Sequence, residues 1–309
     1  MISDKNVELP ENLLRLAGNS DRADAVVVGA DSPNVIEAVQ WAVETDLVHP
    51  VLVGDADKIT DLAAMSGLPT DDIEIIHAEG DANLAEAAAH RASAGDVDMV
   101  IKGHVHTDAL MGALVRPQAG IRQSGRRMTH CFHMTIPGSE RVLIITDGAV
   151  NIAPDQTTKK AAIHNAVGLA KAAGIDHPKV AILSATESPL PQMPSSLEAA
   201  ELTDWASKSI EGATVFGPLA FDNAVSEVAA RMKGIDSPVA GQADILVVPN
   251  IETGNALFKM MVHFMAACAA GVVVGGRIPV VLTSRADPPE ARLASIALAS
   301  LVASTDPVA

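Results

Sequence analysis

The sequence predicts an α/β protein with two doubly wound α/β domains, each containing a mainly parallel sheet covered by helices. Short runs rich in Val and Ile alternate with amphipathic segments of helical spacing, as in parallel strands joined by helices. The length of 309 residues exceeds that at which one hydrophobic core usually keeps growing. Hydrophobic residues make up 48% of the chain and charged residues 19%, which is typical of a well-packed globular protein.

The first domain begins with four predicted strands separated by three predicted helices. Each strand is a short apolar run, and each helix carries apolar residues on one face. The strands are AVVVGA (25–30), PVLVGD (50–55), IEIIHA (73–78) and VDMVIKG (97–103), and the helices are NVIEAVQWAVET (34–45), KITDLAAMSG (58–67) and ANLAEAAAHRASA (82–94).

After an irregular, Arg-rich region the same alternation resumes. A break near Pro137–Gly138 separates the two units, and we expect the last strand and helix to fold back onto the first. The predicted domains are therefore 1–138 plus 279–309, and 139–278. The later elements are strands at 141–148, 179–187, 243–250 and 278–284, and helices at 156–173, about 196–208, 221–232 and 288–303.

One long apolar stretch, from Met260 to Gly276, has His263 as its single polar residue. Its 17 residues are slightly short for a membrane span, and glycines followed by Pro279 interrupt the helix. We therefore predict a buried helix followed by a strand. The charged N-terminal segment MISDKNVELP lacks the apolar region of a signal peptide, so we expect a cytoplasmic protein.

Composition disfavours several classes of partner. A net charge of −16 argues against binding to nucleic acids or to anionic membranes. Aromatic residues make up only 2% of the chain, which argues against base stacking. Two cysteines, Cys131 and Cys268, are too few for a disulfide framework, so we expect free buried thiols.

Nucleotide-binding signatures are missing from the sequence. The first strand is followed by GADSPN rather than GxGxxG, which disfavours a nicotinamide-binding site. No GxxxxGK[ST] sequence occurs, so a P-loop is excluded.

Five arginines and one acidic residue, Glu140, lie between positions 116 and 141. In an acidic chain this is a local inversion of charge, and the planar guanidinium group suits phosphate. The cluster is equally compatible with a solvated loop that pairs with acidic patches. The five are Arg116, Arg122, Arg126, Arg127 and Arg141.

Four histidines lie in and before this region: His104 and His106, then His130 and His133. If the HVH sequence formed a strand, both of its rings would lie on one face, which a metal ion could use. Neither pair has the helical HExxH arrangement and no cysteine pattern accompanies them. Packing or polar positioning is therefore the favoured interpretation, and we expect no metal.

Two segments combine a strand, a turn and the start of a helix, an arrangement that can hold an anion at exposed amides. The first, KGHVHTDALMGAL (102–114), has Thr107 or Asp108 near the helix start. In the second, VPNIETGNALFK (248–259), Gly254 and Asn255 open the helix and Lys259 lies one turn further in.

A third segment, SRADPPE (284–290), also follows a strand and precedes a helix. Ser284 and Arg285 suit a phosphoryl group or an oxyanion, and Asp287 or Glu290 suits the role of a base. Taken alone, the segment is equally well explained by a turn serine and a helix-capping aspartate.

Together these segments resemble the phosphate acetyltransferase/phosphate butyryltransferase family, and they are more similar to its butyryltransferase branch. The resemblance extends from about residue 24 to residue 303. The matching segments, in order, are KGHVHTDALM, LSATESPLPQMPSSLEAAEL, GPLAFDNAVS, AGQADILVVPNIETGNALFK and VVLTSRAD.

The resemblance implies a reversible transfer of a short-chain acyl group, butyryl ahead of acetyl, between CoA and inorganic phosphate. It implies two domains of the isocitrate/isopropylmalate dehydrogenase type with three layers and a cleft between them, in a homodimer. It also implies that acyl-CoA, phosphate and acyl phosphate are the partners, with CoA as a substrate and no bound cofactor or metal. In the family mechanism an acidic residue deprotonates the CoA thiol, and a serine–arginine pair, matched here by Ser284 and Arg285, holds the reacting groups.

The chain departs from the acetyltransferase branch at two positions. The aspartate found there six residues after the arginine is replaced by Ala291, so Asp287 or Glu290 takes the role of base. A phosphate-binding arginine of that branch aligns near Met111, so one of the later arginines substitutes for it. The resulting candidates are Ser284, Arg285 and Asp287 as catalytic residues, and Lys102, His106, Thr107, Arg122, Arg127, Asn255 and Lys259 as substrate-binding residues.

Two alternatives remain open from the sequence. One is a metal- and NAD-dependent hydroxyacid dehydrogenase of the same fold, and the other is a non-catalytic CoA-binding module.

Overall fold

The computed structural model describes residues 2–284 and 287–305. The chain divides by its contacts into two compact units. Unit 1 consists of residues 1–6 and 128–267, and unit 2 of residues 7–127 and 268–309. Both observed divisions come earlier in the chain than the predicted boundaries at 138 and 278. Pro137–Gly138 does not separate the units, because it lies in the turn between two antiparallel strands of unit 1.

The first part of unit 2 alternates strands and helices. The strands Ala23–Val28 and Met99–Lys102 are buried along most of their length because helices cover the sheet. Gly67 and Gly95 end two of the helices in the left-handed conformation. The elements are α1 (Glu11–Ala17), β1 (Ala23–Val28), α2 (Pro33–Glu44), β2 (Val48–Gly54), α3 (Ala56–Ser66), β3 (Ile75–His77), α4 (Asp81–Ala94), β4 (Met99–Lys102), α5 (Thr107–Leu114) and a 3-10 turn (Pro117–Ala119).

Unit 1 repeats this design with a sheet of five strands. The strand order is β5-β6-β9-β7-β8, and all the pairs are parallel except β5 with β6. The elements are β5 (Thr129–Thr135), β6 (Val142–Thr146), α6 (Gln156–Ala172), β7 (Lys179–Leu183), α7 (Pro194–Ser209), β8 (Thr214–Leu219), α8 (Phe221–Val225), α9 (Glu227–Met232), β9 (Ile245–Val247) and α10 (Ile251–Met265).

The chain then completes unit 2 with β10 (Cys268–Val274), β11 (Val280–Val281) and α11 (Pro289–Ser304). Within this unit the strand order is β3-β2-β1-β4-β11-β10. All the pairs are parallel except β10 with β11. The carboxyl ends of β4 and β11 are therefore neighbours, which is where sheets of this kind place their ligands.

The predicted mixed α/β fold is confirmed, but three local predictions are wrong. The Arg-rich region is not irregular throughout, because it contains β5, a strand with six of seven residues buried. The helix predicted at 221–232 is divided into α8 and α9.

The third wrong prediction concerns α10, which was expected to be buried. Only Gly254 and Met261 of this helix are buried, while Met260, Phe264 and Met265 are 40%, 59% and 38% exposed. The strand that follows, β10, is buried along its whole length, as expected. Among residues 2–284 and 287–305, no helix has the length and apolar character needed to cross a membrane.

Candidate active site

The proposed catalytic segment, residues 283–287, begins two residues after the end of β11 at Val281, at the carboxyl edge of the unit 2 sheet. The Ser284 N–H donates to Asp287 Oδ2 at 2.6 Å, and the Asp287 N–H donates to the Ser284 carbonyl oxygen at 3.2 Å. These two bonds close a tight turn that brings Ser284 and Asp287 together. Arg285, the third predicted catalytic residue, lies outside the described residues.

The carboxyl group of Asp287 is half-buried and lies among donors and cations. Burial raises its pKa above the ordinary value. The hydrogen bond from Ser284 and the positive charges of Arg292 and Lys102 act in the opposite direction. A partly buried carboxylate with a raised pKa, held beside positive groups, has the properties of a general base.

Arg292 was not predicted from the sequence. It is only 6% exposed, and its guanidinium group donates to Thr283 Oγ1 and to the Ser284 carbonyl oxygen, each at 2.9 Å. A third bond, from Nε to the Asp287 carbonyl oxygen, measures 3.3 Å. The sequence did contain a signal, since Arg292 is the only charged residue between Ala291 and Leu301.

Lys102 ends β4 and is 4% exposed. Its Nζ donates to the carbonyl oxygens of Gly103 and Thr283, both at 3.3 Å. A cavity of about 10 Å³ lies against Lys102, Thr283 and Arg292, with apolar side chains on its other walls. Because this volume suits about one water molecule, it has no room for a phosphate group.

Two glycines bring the ends of β1 and β4 into backbone contact. The Gly103 N–H donates to the Val28 carbonyl oxygen at 2.7 Å, and the His104 N–H donates to Gly29 at 2.8 Å. A Cβ atom on Gly103 would lie 2.4 Å from the Gly29 oxygen, which is too close. The KGH sequence therefore includes a backbone crossing that only glycine permits.

The segment after this crossing does not match the predicted arrangement of its histidines. Because β4 ends at Lys102, His104 and His106 do not lie on a strand, so the condition under which both rings would share one strand face is not met. His106 precedes α5, and both its N–H, at 3.1 Å, and its ring Nδ1 contact the carboxylate of Asp81 at the start of α4. Thr107 is the first residue of α5. Among the described residues, no group of three or more His, Cys, Asp or Glu side chains is arranged to hold a metal ion.

The five arginines of the basic cluster lie in three different surroundings. Arg141 donates to the carbonyl oxygens of Val225, Gly241 and Ala243, and it therefore ties together loops of unit 1. Arg116 pairs with Glu86 at 3.1 Å on the surface of unit 2. The other three, Arg122, Arg126 and Arg127, are exposed in the loop before β5.

In unit 1, the start of α10 carries the remaining candidates. The helix begins at Ile251 rather than at Gly254, and Asn250 Oδ1 caps it by accepting bonds from the Thr253 N–H at 3.0 Å and hydroxyl at 2.6 Å. Asn255 Nδ2 donates to the Gly148 carbonyl oxygen at 3.4 Å, whereas Lys259 is exposed.

The loop that Asn255 contacts is organised by Asp147. This buried carboxylate accepts bonds from the N–H groups of His130, Ala149 and Val150 at 2.9–3.0 Å, and from Asn151 Nδ2 at 2.6 Å. Asp147 is thus engaged in holding the loop after β6.

A carboxylate and a serine at the carboxyl end of a strand, beside two buried cations, are chemically suited to reactions of anionic acyl or phosphoryl compounds. Residues 83–300 match the family described as "Phosphate acetyl/butaryl transferase". The chain belongs to this family, so the predicted family and the predicted acyltransferase class are confirmed.

Individual relatives agree with the family match. The chain is 45% identical to a phosphate acetyltransferase of Rhizobium meliloti, over 85% of this chain and 83% of the relative. It is 40% identical to a phosphate butyryltransferase of Clostridium acetobutylicum, over 95% of this chain and 97% of the relative. Among solved structures, a branched-chain phosphotransacylase from Enterococcus faecalis V583 superposes with a TM-score of 0.80 at 32% identity, covering 91% of this chain and 99% of that one.

Proposed function

We propose that this protein transfers a short-chain acyl group reversibly between CoA and inorganic phosphate, with butyryl-type substrates preferred to acetyl. The observation that supports this most directly is the turn that joins Ser284 to the half-buried carboxylate of Asp287. Relatives named as phosphate acetyltransferases and phosphate butyryltransferases support the same reaction. The dehydrogenase and the non-catalytic module have no support in the family match.

In the proposed mechanism, Asp287 accepts the proton of the CoA thiol. A thiol has an ordinary pKa of about 8.5, so a nearby carboxylate needs to provide only modest help. The thiolate sulfur attacks the carbonyl carbon of the acyl phosphate and forms a tetrahedral oxyanion. The bond from that carbon to the phosphate oxygen then breaks, so that a thioester forms and phosphate leaves with the bonding electrons.

Ser284 and Arg285 stabilise the charge that develops during this step. The Ser284 hydroxyl donates to the oxyanion or to a phosphate oxygen, and Arg285 holds the leaving phosphate. Donors aimed at a developing oxyanion contribute more to catalysis than donors aimed at the ground state.

The substrates are polyanionic, whereas the protein has a net charge of −16. Local positive groups must therefore attract them. In unit 2 we assign this role to the exposed Arg122 and Arg127, and to His106 and Thr107 at the start of α5. Lys102, which is buried, contributes its charge.

In unit 1 we assign anion binding to Asn255 and Lys259, in the second and third turns of α10. No metal and no bound cofactor takes part in the proposed transfer, since CoA is itself a substrate. A cytoplasmic location is supported by the two free buried cysteines, which suit a reducing compartment.

We also propose that a second copy of the chain covers the exposed apolar face of α10. Met260 and Phe264 lie one turn apart on this helix, next to Met265. Light scattering should show a dimer for the wild type and a monomer for Phe264→Glu. Met65→Glu, at an apolar and still more exposed position of α3 in unit 2, should remain dimeric. A monomeric wild type, or a dimeric Phe264→Glu variant, would contradict the proposed homodimer.

The activity is tested by phosphate-dependent release of CoA from acetyl- through hexanoyl-CoA, followed with a thiol reagent. Without phosphate the release should stop, and a complete lack of activity across the series would reject the proposed reaction. NADH formation with a panel of hydroxyacids would instead favour the dehydrogenase.

The site assignment is tested with Ser284→Ala and Arg285→Ala. Loss of an oxyanion donor lowers kcat roughly 10²–10³-fold, and we expect an effect of this size. Ser304→Ala, at the other end of α11, is the matched control and should retain the wild-type rate. Full turnover by either site variant would show that the catalytic segment is elsewhere.

A further inference from the structure

Arg292 lies where a charged side chain is least expected. It is in the first turn of α11, and all residues from Ala291 to Leu301 are buried. Burying a guanidinium group is costly unless its N–H groups find acceptors. The hydrogen bonds that this guanidinium group forms must therefore offset the free-energy cost of its burial.

All three described bonds of Arg292 reach the catalytic segment. They go to the Thr283 hydroxyl and to the carbonyl oxygens of Ser284 and Asp287. These acceptors come from three positions of one short loop. A planar guanidinium can serve several acceptors at fixed angles, whereas an ammonium group offers a single point of charge.

The charges around Asp287 come from three elements. Lys102 at the end of β4 and Arg292 on α11 are cations, and both favour the ionised carboxylate. Burial, and then the carboxylates of Glu290 on α11 and of Asp287, raise the pKa of the Cys268 thiol on β10 to about 12. The two cations therefore offset an environment that otherwise disfavours a negative charge.

Direct binding of substrate phosphate by Arg292 is the main competing explanation. The cavity that Arg292 borders measures about 10 Å³, which is too small for phosphate. All three guanidinium nitrogens also donate to the loop, to Thr283, Ser284 and Asp287.

We infer that Arg292 is a positioning residue, which holds the Ser284–Asp287 turn in its reactive shape and keeps the Asp287 carboxylate ionised. This inference rests on the proposed acyl transfer, because it assigns Arg292 a role that acts through the two proposed catalytic residues.

The test compares Arg292→Gln with Arg292→Lys. The glutamine variant loses both the positive charge and the planar set of guanidinium N–H donors. Its kcat should therefore fall roughly 10²-fold, the effect expected from misplacing reacting groups by about 1 Å. The acid limb of its kcat–pH profile should also shift to higher pH, because a carboxylate without the nearby cation binds its proton more tightly. The lysine variant keeps the charge, so the acid limb of its kcat profile should stay in place while kcat falls about tenfold, as for one lost hydrogen bond.

Arg277→Gln is the matched control, since Arg277 also donates to carbonyl oxygens of unit 2, at Gly120 and Ala92, but does not contact the catalytic segment in its described bonds. It should retain the wild-type kcat and pH profile. Circular dichroism confirms the folding of each variant, and if Arg292→Gln does not fold, the lysine variant decides.

An active wild type whose Arg292→Lys variant turns over at the full rate would overturn this inference alone. The same conclusion follows if a folded Arg292→Gln variant keeps the wild-type acid limb. An inactive wild type would instead overturn the proposed function, and the inference with it.

Discussion

Acidification should destabilise unit 1 through two buried histidines of β5. His130 and His133 are 0% and 4% exposed, and both ring nitrogens of His130 and the Nδ1 of His133 lack a hydrogen-bond partner among the described residues. Burial lowers the pKa of each imidazole from 6.5 to about 4. The charge of Asp147 opposes this effect at His130 without overcoming it.

The sign and size of the effect follow from linkage. Between pH 6.5 and 4 the unfolded chain binds protons that the folded rings do not, so unfolding takes up protons and acid lowers the free energy of unfolding. A difference of about 2.5 pKa units, from 6.5 to about 4, corresponds to about 3 kcal/mol for each ring. The full stability is present above pH 6.5, falls as the pH drops towards 4, and changes little below that.

The assay is the free energy of urea unfolding, measured by circular dichroism between pH 7 and pH 4.5. Compared with the wild type, His133→Gln should lose about 2 kcal/mol less over this range, because one of the two proton sites is absent. Met134→Leu, on the same strand and equally buried, controls for packing and should shift the whole curve without changing its slope. If His133→Gln loses as much free energy as the wild type, the buried imidazoles do not cause the acid sensitivity.

Two further substitutions test local features of the fold. Gly103→Ala places a Cβ atom 2.4 Å from the Gly29 oxygen and should lower the free energy of unfolding by roughly 1–3 kcal/mol. Its control, Gly112→Ala, meets no atom within 4 Å in α5 and should be neutral or stabilising by up to about 1 kcal/mol, so an equal loss in both would contradict the steric explanation. Asn250→Ala should cost about 1 kcal/mol by removing the cap of α10, whereas Asn250→Asp keeps an acceptor for Thr253. Equal melting temperatures for wild type and Asn250→Ala would show that the cap is not needed.

The alternation of elements was determined by the sequence itself. β1, β4 and β7 were predicted because a strand buried on both faces needs a nearly continuous run of Val, Ile and similar residues. The position of Ser284 directly after a strand was predicted for the same reason. Motif order along the chain was sufficient for the family, because a match over most of the length does not depend on how the segments pack.

Other features were not accessible from local patterns. The segment Thr129–Thr135 has no apolar alternation, yet its pairing with β6 makes it a buried strand. The apolar residues of α10 gave no indication that Met260 and Phe264 would be exposed, because periodicity records which residues share a face but not what covers that face.

The Ser284–Asp287 turn depends both on local sequence and on tertiary contacts. The sequence by itself determined the residue types and their place after β11, since these follow from local spacing. Only the tertiary structure decided that Lys102, 181 residues before Thr283, and Arg292 supply the buried positive charge beside it. The physical reason is that the pKa and the shape of such a turn depend on groups that meet in space, and their separation along the chain carries no record of that meeting.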